Sequence, residues 1–143
     1  MTALYARLDQ ASPYVLSILR IITGLLFLQA GLQKYFAFPS HVTFAMRPLL
    51  YVQGIIEIAG GVLLTGGLYT RIVAFILSGD MAAAYFTAHL PRSFYPAVNG
   101  GNLAVMYCFA FLYIFFAGGG PWSLDRVILR KDWADWQARR TAE

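Results

Sequence analysis

Four apolar runs, each close to the length that crosses a bilayer, leave this chain few folds to choose from. They lie at about 15–36, 49–69, 72–90 and 99–118. A spanning helix takes about 20 mostly apolar residues, at about 1.5 Å of rise each. Pro13, Pro39, Pro48, Pro91, Pro96 and Pro121 fall at or beyond the ends of these runs, where proline disturbs a helix least. Of the 143 residues, 59% are hydrophobic and 13% charged, against roughly 25% charged in an ordinary soluble domain. A soluble fold of this length could not hide so much apolar surface. The expected fold is all-α: one integral membrane four-helix bundle over residues 1–143.

The connection at 67–71 is short and places its two helices antiparallel. The connections at 37–48 and 91–98 are longer, rich in aromatic residues, and on the opposite side. The short-loop side carries Arg7, Arg71, Arg126, Arg130, Lys131, Arg139 and Arg140; the long-loop side carries Lys34, Arg47 and Arg92. Basic residues favour the cytoplasmic side, so both termini are expected there. The net charge of +4 therefore reads as membrane topology and does not point to nucleic acid. Residues 123–140 place Leu129, Trp133 and Trp136 near one helical face and arginines mostly on others. That predicts a C-terminal amphipathic helix at the membrane interface, an anchor or a docking surface. Cys108 is the one cysteine, so no internal disulfide or CxxC pair can form. The N-terminus shows no cleavable signal pattern, and the first span is expected to act as its own insertion signal.

Glu57 and Asp80 lie inside the second and third runs. An ionisable group there costs a few kcal/mol and must face a partner or a watery cavity. By helical rise, Arg20 lies about 7 Å in from the cytoplasmic side and Asp80 about 12 Å, which predicts an Arg20–Asp80 ion pair. Arg20 could instead snorkel to the headgroups. Glu57 lies about 12 Å from the outer side, with Gln29 at a similar height. Gln53 and Gln33 sit one turn above them, Tyr107 near mid-depth, and Tyr85, His89, Asn99 and Asn102 further out. These residues suggest a polar pocket open to the outer side. Gln29 and Gln33 are nearly opposite Arg20, which shares its face with Gly24, Gly31 and Lys34. Helix one is therefore expected to be central, with neighbours on both sides. The glycines of helix two and the small residues of helix three read as close helix packing. Glu57 could be protonated and hydrogen-bonded to Gln29 or Gln53, or could accept a proton during a redox or transport cycle. His41, His89 and Cys108 are too few to build a metal site.

At these residues the chain resembles the DoxX family of small four-helix bacterial membrane proteins. The resemblance covers roughly 17–129. Its carriers are LRIITGLLFLQAGLQKYF, GIIEIAGGVLLTGGLYTRIVA, NGGNLAVMY and GGGPWSLD. The pattern from Glu57 to Arg71, E-x-x-G-G-x-L-L-x-x-G-L-x-T-R, is the most specific. The resemblance implies a bacterial plasma membrane location and a link to quinone-dependent oxidoreductases or oxidative stress, but no catalytic residue set. Two kinds of function remain in view. One is a redox-associated protein that binds quinone or partners a quinone-linked oxidoreductase. It would use Glu57 as the proton-exchanging group and Phe27, Tyr85, Phe86, Tyr107 and Phe111 as aromatic walls. The other is a small transporter or a non-enzymatic scaffold. A purely structural bundle is the third reading, and homo-oligomerisation is compatible with all three.

Overall fold

The first helix sets the scale of the molecule. In the computed structural model, which describes residues 2–40 and 48–128, α1 runs unbroken over Thr2–Phe36, 35 residues. At 1.5 Å per residue that is about 52 Å, well beyond the ~30 Å of bilayer hydrocarbon. It therefore begins earlier than the expected 15, and Pro13 lies inside it. The proline removes one backbone bond, to the carbonyl of Asp9. Asp9 is exposed, so another donor can reach that carbonyl and the helix continues.

Helix α2, Pro48–Gly66, starts on a proline and ends where Gly67 takes φ of 70°. The amide of Leu68 closes the end on the Leu63 carbonyl at 3.0 Å. Tyr69 also has positive φ, 51°, and α3 follows over Thr70–Ala84. Asp125 reaches back from far along the chain to cap α3. Its two carboxylate oxygens accept from the amides of Tyr69 (2.6 Å) and Thr70 (2.8 Å). A carboxylate here meets the positive end of the helix dipole. At its other end α3 widens into a π-helical turn, Tyr85–His89. The short α4, Pro96–Asn99, leads to α5, Asn102–Ala117. Gly100 and Gly118, at φ of 73° and 87°, bracket α5 and cut it to 16 residues. The fourth run is thus shorter than its expected 99–118. A last short helix, α6, covers Leu124–Ile128. Residues 129–143, which hold most of the expected interfacial helix, lie outside the described residues, as do His41 and Arg47.

Helix α1 packs along α2, and α3 along α5, while the two pairs meet mainly through α2 and α3. Close approach of α1 and α2 depends on glycine. A Cβ on Gly61 would sit 2.6 Å from the amide nitrogen of Leu28, and one on Gly24 2.8 Å from that of Thr65. The core between the pairs holds Phe27, Leu64, Leu77, Phe111 and Ile114. Outside it, Ile22, Val62, Ile72, Phe75, Phe109 and Phe116 are all about half exposed or more. Water does not tolerate so broad an apolar belt on a monomer; hydrocarbon does. Three helices, Leu4–Phe36, Pro48–Gly66 and Thr70–His89, are long and apolar enough to cross a membrane. Helix α1 is peripheral, not central: one face meets its neighbours and the other is open.

Candidate functional site

Two polar clusters lie between the helices, one towards each end of the bundle. The cluster near the 67–69 turn is organised by Arg20, which is fully buried. Its Nε donates to the Gly119 carbonyl (2.8 Å) and its Nη2 to that of Trp122 (2.7 Å). Its Nη1 donates to the carbonyls of Leu64 and Thr65, the latter at 2.6 Å. These carbonyls lie at a helix end and in a tight loop, where the backbone leaves acceptor capacity unused; that of Leu64 also accepts from the Gly67 amide at 3.1 Å. The five fixed donors of guanidinium suit several carbonyls at once. Ser17 adds a bond from the Trp122 amide (3.3 Å). Arg20 therefore clasps α1, the end of α2 and the 118–123 loop together.

The predicted Arg20–Asp80 ion pair does not form. Arg20 is level with the last turn of α2, because α1 extends so far beyond it. Asp80 lies ten residues into α3 from Thr70, about 15 Å away along the axis. It belongs to the other cluster.

That second cluster, towards the 37–48 and 91–98 connections, joins Lys34 of α1, Gln53 and Glu57 of α2, and Asp80 of α3. The Lys34 ammonium donates to Glu57 Oε1 at 2.7 Å and to Gln53 Oε1 at 3.2 Å. Asp80 lies beside the Gln53 side chain, and both carboxyl groups lie within the field of Lys34. Glu57 is only 3% exposed. Glu57 Oε2 and Asp80 Oδ2 are both buried without a hydrogen-bond partner among the described residues. One ammonium thus serves two carboxyl groups. The cluster is neutral only when it also holds one proton or one further cation, and a low-dielectric site strongly favours neutrality.

Lys34 is the partner that the sequence position conceals, because position 34 lies at the outer end of helix one, beside the long loop. Its sign was present: it shares the helical face of Arg20, the buried face. It lies two residues from the end of α1, and its long flexible stem carries the ammonium inward.

The remaining predicted residues divide. Gln29 is exposed, since the face opposite Arg20 points outward, so it does not join Glu57. Gln33 is half-buried and donates to Ser40 Oγ at 3.0 Å. Asn102 is exposed. Tyr107 is half-buried in an aromatic triad, 5.6 Å from Phe27 edge-on and 5.5 Å from Phe111 in a stack. Tyr85 and His89 shape the 90–101 connection. The Tyr85 hydroxyl donates to the Phe94 carbonyl at 2.7 Å, and the His89 ring stacks on Tyr85 with Nδ1 3.1 Å from the Asn99 carbonyl. Buried Asn99 completes that connection, donating to the Ser93 carbonyl and accepting from the Gly101 amide, each at 2.7 Å. These residues order a loop and do not meet Glu57. Among the described residues no three His, Cys, Asp or Glu side chains converge as a metal site would require.

Comparison with known proteins finds a family and several relatives. The DoxX family model matches residues 15–90. An uncharacterized protein of Haemophilus influenzae is 42% identical over 131 residues, covering 87% of this chain and 98% of its own length. An uncharacterized membrane protein of Mycobacterium tuberculosis is 26% identical over 145 residues, covering 85% of each chain. A Bacillus subtilis protein bearing the name "Putative oxidoreductase CatD" is 34% identical over 82 residues, covering 54% of this chain and 61% of its own. No solved structure matches this chain.

Proposed function

The chain belongs to the DoxX family, and on that premise we propose that this membrane protein works with a quinone-linked oxidoreductase, with its Lys34–Glu57–Asp80 cluster as the proton-exchanging site. The observation that carries the reading is the unequal charge count of that cluster, with one buried oxygen on each carboxyl group unpartnered among the described residues. A site that needs one extra proton to be neutral can take up and release that proton. Conversion of quinone to quinol consumes two electrons and two protons. Both electrons would come from the partner oxidoreductase; Glu57 would pass one proton to each quinone oxygen in turn, reprotonated from the aqueous side after each transfer. The name of the Bacillus subtilis relative supports a redox setting. The half-buried Tyr107, backed by the core rings of Phe27 and Phe111, offers the aromatic face against which a quinone ring would pack.

The turn side, with Arg7, Arg71 and Arg126, would face the cytoplasm of a bacterial plasma membrane. The burial of Lys34 against Glu57 supports that orientation, because it withdraws a cation from the opposite side. The test is the rate of quinol formation in membranes containing the protein and its partner enzyme. Glu57→Gln should cut the rate roughly tenfold or more while the protein is inserted at normal levels; an unchanged rate overturns the reading. The same charge count also suits a small ion-coupled transporter, which would give solute flux in sealed vesicles with no dependence on quinone.

A further inference from the structure

We propose that two copies of this chain pair in parallel along α1, through a heptad seam that runs the full length of the helix. Leu8, Val15, Ile22, Gln29 and Phe36 recur every seven residues. Leu4, Ala11, Ile18, Leu25 and Leu32 interleave with them at the spacing of the second core position of a coiled coil. Nine of these ten residues are apolar. Within the bundle segment, residues 15–29, these two sets and the position after the second set (Leu19, Leu26) are exposed; every other residue there is buried or half-buried against the rest of the chain. The face is therefore open to a neighbour.

An apolar face inside a membrane is ordinarily covered by lipid. Two observations argue for a protein partner. First, the seam continues outside the hydrocarbon. Arg20 is level with the end of α2, and Pro13 lies beside Gly120 in the 118–123 loop. The first eleven residues, Thr2–Ser12, extend about 16 Å past that level. Leu4 and Leu8 lie on this extension with 61% and 55% of their surface exposed, on a helix about 22 Å longer than the hydrocarbon is thick. Second, the seam contains one polar residue inside the bilayer. Gln29 lies about 10 Å from the other end of α1, is exposed, and has no side-chain partner among the described residues. An amide left unpaired in hydrocarbon costs several kcal/mol. It carries both donors and an acceptor, so Gln29 from a second copy, related by a two-fold axis parallel to the helices, is its complement. A single polar residue at such a position also fixes register and copy number.

The expected area fits a specific interface. The seven large apolar side chains still exposed and Gln29 each offer on the order of 100 Å², so pairing two copies buries roughly 1,600 Å², the standard size of a stable complex.

The experiment is disulfide cross-linking in native membranes, in the full chain with Cys108→Ser as background. Ala11→Cys and Val15→Cys lie on the seam; Gln10→Cys lies off it. The expected result is a covalent dimer at 11 and 15, with roughly tenfold less at 10. Gln29→Leu should weaken association of the otherwise unaltered protein roughly tenfold, equivalent to about 1.4 kcal/mol. Equal cross-linking at all three positions, or none at any, overturns the proposal; the face would then be covered by lipid or by this chain's own tail. Unchanged dimer strength in Gln29→Leu would likewise overturn the assignment of Gln29 as the complementary pair.

Discussion

Lys34 and Arg20 show how the same helical face serves two different ends. Lys34 places a flexible charge against Glu57, whereas Arg20 spreads a rigid fork over four carbonyls. Removing Lys34 leaves buried carboxyl groups without a cation, at about 3–5 kcal/mol, whereas Glu57→Gln leaves Lys34 facing Asp80. Lys34→Met alone should therefore destabilise the protein, and Lys34→Met with Glu57→Gln should recover most of the loss. A double-mutant cycle in mild detergent, read as unfolding free energy, checks this; additive losses would show that the two do not interact. Arg20→Lys keeps the charge but cannot reach four carbonyls from one ammonium. It should lower stability by about 2–4 kcal/mol, and a thermal midpoint equal to wild type would contradict the clasp. The need for partners at Glu57 and Asp80 was legible from their depth alone. The identity of those partners was not, because helical rise fixes where a Cα sits but not how far a long side chain travels. Lys34 crosses that gap to Glu57. Asp80 was matched to Arg20 from a starting level for helix one that the longer α1 displaced.

At the level of elements, three runs, the short turn and the glycine packing of α2 were readable as patterns. The start of α1 was not, because residues 2–14 are mixed in polarity and Pro13 looked like a stop; a proline whose lost bond falls on an exposed carbonyl does not end a helix. The shortness of α5 depends on Gly100 and Gly118 adopting positive φ, which a run of apolar letters does not reveal. Three substitutions test the elements. Asp125→Ala removes both acceptors at the start of α3 and should cost about 1–2 kcal/mol, read as faster hydrogen exchange at Tyr69 and Thr70. Gly61→Val forces α1 away from α2 and should greatly reduce the yield of folded protein, whereas Gly79→Ala, with nothing near the added methyl, should leave it intact.

For the whole molecule, the two clusters divide the work. The Arg20 clasp and the Asp125 cap close the turn end of the bundle and hold α1, α2 and α3 in register. That register brings one ammonium and two carboxyl groups together near the other end. Membership of the DoxX family accounts for the architecture, and the unequal charge of the cluster is the observation on which the proposed proton exchange rests. The most direct test is to extract the protein from its native membrane in mild detergent and measure bound quinone by mass spectrometry, beside Tyr107→Ala. The account predicts near-stoichiometric quinone on the wild type and several-fold less on the variant, whose aromatic wall is broken. Wild-type protein carrying phospholipid and no quinone would contradict it.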